Sequence, residues 1–306
     1  MSITSYPYRG KDDLFQIQAA TASWIKQAGF RGYLNVSDIA LRLFAGMREY
    51  DPGGIIRIWS DTDTGIIGWV MVYPAWRRYE VALHPDYRDH RVSAELLDWA
   101  EAQITHHLLR QTPDDMHITL HVFDGDTVYS SQLEQRGYER GKQVSVISTR
   151  QLSGVIPAPQ LPDGFSIRSV AGEHELDNLV THVNSSFGWD LTVTAYGKMM
   201  RSPGCTLDNQ QVVVAPDGRF VASCIMLPDT YNHMGMFENV ATSPDFRRMG
   251  LAKALLYDGM RQMQRQHFTV VMVPHLITLG AALALYTSLG LQPTYPIIQY
   301  SKSVIP

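Results

Sequence analysis

Between Met234 and Met263 the spacing of apolar residues changes from two to between three and four, and the change happens across a short loop of small and charged residues. Met234, Met236, Glu238, Val240 and Thr242 alternate with Gly235, Phe237, Asn239 and Ala241, the pattern of a strand whose successive side chains face opposite ways. On that alternation Glu238 shares a face with Val240 and Thr242. From Ala252 onward, Leu255, Leu256, Gly259 and Met263 continue at i+3, i+4, i+7 and i+11, with Lys253, Asp258, Arg261 and Arg265 off the stripe. A strand that feeds an amphipathic helix commits the chain to an α/β layer architecture.

The connecting loop, Pro244-Asp245-Phe246-Arg247-Arg248-Met249-Gly250-Leu251-Ala252, opens the helix. The first N–H groups of a helix have no intrahelical partner, and with the positive end of the dipole they form an anion site. Gly250 and Ala252 let an anion reach the amides between Arg247 and Ala252, because neither carries a long side chain. Arg247 and Arg248 stand where cations are unfavourable unless an anion lies between them and the helix start. The spacing fits neither G-x-G-x-x-G nor G-x-x-x-x-G-K-[ST], which argues against nucleotide hydrolysis.

Arg247, Gly250 and Ala252 resemble the [QR]-x-x-G-x-[GA] signature of motif A in the GNAT superfamily of N-acetyltransferases. Downstream, Thr269 to Val273 reads as a buried strand and Leu279 to Leu289 as a helix ending at Gly290. Within it, Leu285-Tyr286-Thr287-Ser288-Leu289-Gly290-Leu291 resembles the family's motif B, L-Y-x-x-x-G-F. Two positions depart: Leu279 replaces an Asn common seven residues before the Tyr, and Leu291 replaces the Phe. Thr278 is the nearest polar substitute for that Asn in holding the pantetheine arm.

The resemblance implies a transferase that moves an acetyl group from acetyl-CoA to a primary amine, of a small molecule or a peptide, by direct attack. It implies a pyrophosphate held by Arg247, Arg248, Met249, Gly250, Leu251 and Ala252, and a pantetheine arm held by backbone N–H groups at Val240 and Thr242. An alkylammonium of pKa near 10.4 is deprotonated to less than about one part in a thousand at neutral pH, so a base is needed. Glu238 is the candidate, and the resemblance places the general acid for the departing thiolate on Tyr286. The competing readings are a surface ion pair for Glu238, a core aromatic for Tyr286, and, for the chain, a non-catalytic CoA or acyl-CoA sensor or a transferase using another acyl donor.

Strand and helix patterns from residue 164 follow the family's order: a first strand over Gly164 to Val170, helices over Glu173 to Phe187 and Val193 to Arg201, then strands Gln211 to Ala215 and Arg219 to Met226 around a Pro216-Asp217-Gly218 turn. The first half carries a faint copy. Leu83 to Ser93 aligns without gaps on Thr242 to Ala252 at an offset of 159, with Pro85, Asp86 and Arg88 matched. At that offset Arg91 answers Gly250, Ser93 answers Ala252 and Tyr79 answers Glu238, and setting Gly137 on Gly290 puts Leu133 where Tyr286 stands, so the chemistry is read as lost.

The expected architecture is two tandem GNAT-like domains, each a mixed, mostly antiparallel twisted sheet flanked by helices. A degenerate domain spans 1–150, a Pro- and Gly-rich linker 151–163, and a catalytic domain 164–306. With 26 Lys plus Arg against 30 Asp plus Glu, and no basic run, nucleic acid is not an expected partner. No apolar run reaches a membrane span, no signal sequence is apparent, and Cys205 and Cys224 sit in no Cys/His constellation. The reading is of a cytoplasmic protein with no membrane partner and no metal.

Overall fold

Segments from far apart in the chain exchange places between two units. The computed structural model describes residues 2–47, 50–111 and 116–304, and the side chains of all of these except 45–47. Unit 1 comprises Met1–Leu34, Gly46–Val146 and Tyr295–Pro306; unit 2 comprises Asn35–Ala45 and Ile147–Thr294. These boundaries differ from the 1–150 and 164–306 division read from the sequence. Periodicity identifies a strand or helix but not the element it packs against.

The first half runs β1 (Ile3–Pro7), α1 (Lys11–Ala28), α2 (Val36–Met47), α3 (Pro52–Ile55), β2 (Ile56–Asp61), β3 (Gly65–Tyr73) and β4 (Arg78–Leu83). It continues with α4 (Arg91–Gln111), β5 (His117–Phe123), α5 (Thr127–Gln135) and β6 (Glu139–Gln151). The second half runs β7 (Ser166–Ser169), α6 (Leu176–Phe187), α7 (Val193–Met200), β8 (Arg201–Ser202), β9 (Cys205–Thr206) and β10 (Gln210–Val214). Then come β11 (Phe220–Asp229), β12 (Met234–Thr242), α8 (Leu251–Arg265), β13 (Val270–Leu276), α9 (Gly280–Ser288) and β14 (Gln292–Ser303).

In unit 1, β1-β2-β3-β4 form an antiparallel sheet, and β5 pairs with the end of β14, from Phe123↔Ile297 to His117↔Ser303. α4 buries Val92, Leu96, Leu97, Ala100, Ile104 and Leu108, a stripe at helical spacing. Trp24, Trp59 and Trp69 are core residues, and the Trp69 indole N–H donates to Thr21 Oγ1 at 3.0 Å.

In unit 2 the strand order is β7-β10-β11-β12-β13, antiparallel throughout except for the parallel β12/β13 step. α8 packs Leu251, Ala254, Leu255, Leu256, Met260 and Met263 against this sheet, so the buried stripe starts one residue before Ala252. Gly259 sits over Phe237, where a Cβ would collide with the ring, which explains a glycine inside a helix. The expected linker is part of this core: Leu152 and Ile156 are buried, and Gln264 Nε2 donates to Leu152 O at 2.7 Å and Gly154 O at 2.8 Å. No helix among the described residues is long and apolar enough to cross a membrane.

On the other face of the sheet, α6 places His182 between two serines. Nδ1 meets Ser243 Oγ at 2.9 Å and Nε2 meets Ser223 Oγ at 3.1 Å. Burial lowers the imidazole pKa to about 4, so the folded protein resists a proton that the unfolded chain accepts near pH 6.5. This contribution is complete above pH 6.5 and fades as pH falls toward 4, a loss of about 3 kcal/mol. Denaturant titrations of the wild type and His182→Gln are expected to converge on acidification, with the variant showing the flatter profile between these limits.

Candidate active site

β12 carries the feature that organises the site. Opposite β11, Ser223 pairs with Ala241 but Ile225 pairs with Glu238, so Asn239 and Val240 together face Cys224. This is a β-bulge, and Asn239 takes the left-handed φ of 51° that an Asn tolerates better than most residues. The extra residue inverts the alternation. Phe237 and Val240 face the α8 core, whereas Glu238 turns to the opposite face with Ala241 and Ile225. Glu238 therefore does not share a face with Val240 and Thr242, as uninterrupted alternation had implied.

At the same level the sheet splits. β12 and β13 pair through Met234↔Val270, Gly235↔Val271 and Met236↔Met272, and beyond that point they part. Ser243 N–H donates back to Val221 O at 2.9 Å, so the preceding N–H, that of Thr242, points away from β11 toward the side β13 has left. A wedge with the Thr242 N–H on one wall results.

Glu238 is half-buried, and the loss of water pushes its carboxyl pKa up to about 8. The charge of Asp38 adds to that rise, and Arg42 and the Asn239 N–H, 3.3 Å from Oε2, oppose it. Tyr286 is 5% exposed on α9, whose end is closed by Leu291 N–H donating to Tyr286 O at 3.0 Å and Gly290 in the left-handed region. Burial, with Glu238 and Cys224 nearby, pushes its phenol well above 10, so it keeps its proton. The His275 ring stands 5.2 Å from the Tyr286 ring, and His275 Nε2 lies 3.0 Å from Ser148 Oγ.

The loop after β12 is exposed from Arg247 to Gly250, and Met249 is 40% exposed. Arg248 and Gly250 both take left-handed φ, 65° and 80°. Gly250 is the N-cap of α8, no side chain caps that end, and Ala254 N–H bonds to Gly250 O at 2.9 Å. Leu251 is buried beneath, Ala252 is half-buried, and Arg247 Nε reaches Thr242 O at 3.4 Å. Thr278 lies exposed in the turn before α9.

Unit 1 shows what a closed version looks like. At the start of α4, His90 Nδ1 accepts from Val92 N–H at 3.3 Å, Gln132 Nε2 donates to Arg88 O at 2.8 Å, and Ser93 Oγ donates to Gln132 Oε1 at 2.9 Å. Arg88 is turned onto Asp126. Tyr79 is buried with its hydroxyl 2.9 Å from that of Tyr138, and Leu133 is fully buried. The cavity below, lined by residues including Tyr33, Tyr79, Arg88 and Asp126, encloses about 70 Å³.

Residues 184–291 match the sequence model of the Acetyltransferase (GNAT) family. Unit 2 holds a GNAT acetyltransferase domain. Over 238 residues, 73% of this chain and 73% of the relative, the sequence is 26% identical to a mycothiol acetyltransferase of Saccharomonospora viridis. A tandem GNAT protein from the clavulanic acid biosynthesis pathway superposes with a TM-score of 0.70 at 12% identity, covering 100% of this chain and 99% of that one. A GCN5-related N-acetyltransferase from Sphaerobacter thermophilus gives a TM-score of 0.66 at 18% identity, covering 99% and 96%. These two likenesses establish the fold of two tandem GNAT-like domains.

Glu238, Tyr286 and the 247–252 loop, the site residues singled out in the sequence, all belong to unit 2. Sequence reasoning did not find Asp38, Arg42, His275 or the bulge. Only the bulge had a local signal, an Asn within a β-rich run.

Proposed function

We propose that the GNAT domain transfers acetyl from acetyl-CoA to a primary amine by direct attack, with Glu238 as the base and Tyr286 as the acid. The bulge at Asn239 carries this reading, because it turns Glu238 to the face opposite Phe237 and Val240, next to the point where β12 and β13 part. The residues present fit acetyl-CoA. The uncapped start of α8, with Gly250 left-handed and Arg247 and Arg248 exposed, suits a pyrophosphate, and Thr278 and the β12 amides suit the pantetheine arm. Bound acetyl-CoA supplies the thioester, whose carbonyl the fixed N–H donors polarise as charge develops on oxygen, an effect worth about 3 kcal/mol per donor.

An acceptor amine arrives mostly as the ammonium, and the raised proton affinity of Glu238 matches the task of removing that proton near neutral pH. Tyr286 remains a donor for the departing sulfur at any working pH. The unit 1 counterpart, with His90 on its helix amides, is read as non-catalytic.

Thiol release from acetyl-CoA with a panel of amines, with products read by mass, tests the assignment; background release with every amine would leave only cofactor binding. Tyr286→Phe is expected to lower kcat about 100-fold while acetyl-CoA affinity, read by calorimetry, stays near wild type. An equal loss of affinity and turnover would make Tyr286 a packing residue only.

A further inference from the structure

The proposed chemistry leaves His182 unused, although this buried ring of α6 touches the strands on both sides of the bulge. Nε2 stands 3.1 Å from the hydroxyl of Ser223, which is fully buried on β11 and pairs with Ala241 just past the bulge. Nδ1 stands 2.9 Å from the hydroxyl of Ser243, the residue that ends β12 and opens the loop. Only Thr242, whose N–H lines the wedge, lies between the Ala241 rung and Ser243. One imidazole therefore clamps both ends of segment 241–243. A neutral ring has one N–H and one lone pair, so one serine hydroxyl accepts from it and the other donates to it.

Beyond Ser243 the loop is held at Phe246 and then at Leu251. Phe246 N–H donates to Ser243 O at 2.9 Å, and its ring meets Phe165 edge-on at 6.2 Å. From Arg247 to Gly250 every residue is exposed, two of them left-handed, until Leu251 is buried again. The root of the loop is thus the Ser243 tether.

We propose that His182 is a positioning residue for the cofactor: through Ser243 it fixes the root of the 247–252 loop and the Thr242 N–H against β11 and α6, so that the anion site is formed before acetyl-CoA arrives. The inference rests on that loop as the acetyl-CoA site. A loop released at its root spends time in other arrangements, and the measured dissociation constant rises in inverse proportion to the fraction that stays competent. Ser223 anchors the ring, and Ser243 receives the constraint.

Ser243→Ala is expected to raise the dissociation constant for acetyl-CoA about tenfold. Turnover at saturating acetyl-CoA should stay within about threefold of wild type, because the bound form is the ordered one. Ser243→Thr keeps the hydroxyl and restores the affinity. At position 182, an Asn amide lies where Nδ1 was and a Gln amide where Nε2 was, so His182→Asn should bind more tightly than His182→Gln. A purely structural role would lower the denaturation midpoint in these variants and leave their dissociation constants at the wild-type value. The Ser243 variants alter a half-buried hydroxyl, so they keep the test decisive where a change at 182 prevents folding. Wild-type affinity in Ser243→Ala overturns the proposal. Calorimetry separates the two readings: a wild type that takes up no acetyl-CoA defeats the cofactor assignment itself, whereas binding that Gly250→Glu weakens and Ser243→Ala leaves intact defeats only the role of His182.

Discussion

Gly250→Glu is expected to raise the dissociation constant for acetyl-CoA at least about 100-fold, whereas Arg91→Glu leaves it within about twofold. The contrast isolates the helix start of unit 2. A side chain at Gly250 has open space around its Cβ, so the variant meets no clash within the fold. Its backbone cost, from φ of 80°, is about 1–2 kcal/mol for a non-glycine residue. The larger penalty falls on the ligand, because a carboxylate now stands at the positive end of α8 where a diphosphate would bind the amides. Gly250→Ala separates the two contributions, keeping the backbone strain without the charge, and should bind with an intermediate constant. Arg91 opens α4 in unit 1, where His90 already occupies a first-turn amide. Calorimetry with acetyl-CoA reads all three; wild-type affinity in Gly250→Glu would remove the cradle from the assignment.

Glu238→Gln should lower kcat by about 10²–10⁴ with acetyl-CoA affinity unchanged, since the amide keeps the shape but takes no proton. Its effect on stability has the opposite sign. The folded carboxyl holds its proton up to about pH 8, while the unfolded one releases it near 4.5. Between these values the folded state binds more protons, so stability falls as pH rises through the window. The Gln variant lacks this loss and should melt higher than wild type at pH 8, with the difference shrinking toward pH 5. Melting curves across that range, alongside steady-state rates, check both halves. A variant retaining wild-type turnover at every pH rules out a proton-accepting role. Retained function with raised stability would mean that the buried carboxyl serves neither chemistry nor fold.

The strand, loop and helix from Met234 to Arg265 were legible because a change of period and a small-residue loop are local properties. So was the helix around Tyr286, closed by Gly290. The phase of β12 was not. One left-handed residue at Asn239 changes which face every preceding side chain takes, and strand periodicity assumes no such residue. The exchanged segments were hidden for a different reason. Val36, Ile39, Ala40 and Leu43 announce an apolar helix stripe, but nothing in their spacing says that the stripe rests on unit 2. The Pro-rich segment after β6 looked free of structure from composition; its carbonyls are taken by Gln264 and Arg261 of α8, residues more than a hundred positions later.

The pairing of β5 with β14 sets the order in which the chain can mature on the ribosome. Every backbone partner that the ladder gives β5 lies between Ile297 and Ser303, so this strand waits through the synthesis of more than half the polypeptide with its edge unsatisfied. A nascent chain halted shortly after residue 290 should be protease-sensitive in unit 1, despite that unit having emerged first, and should gain resistance only when its final strand is supplied.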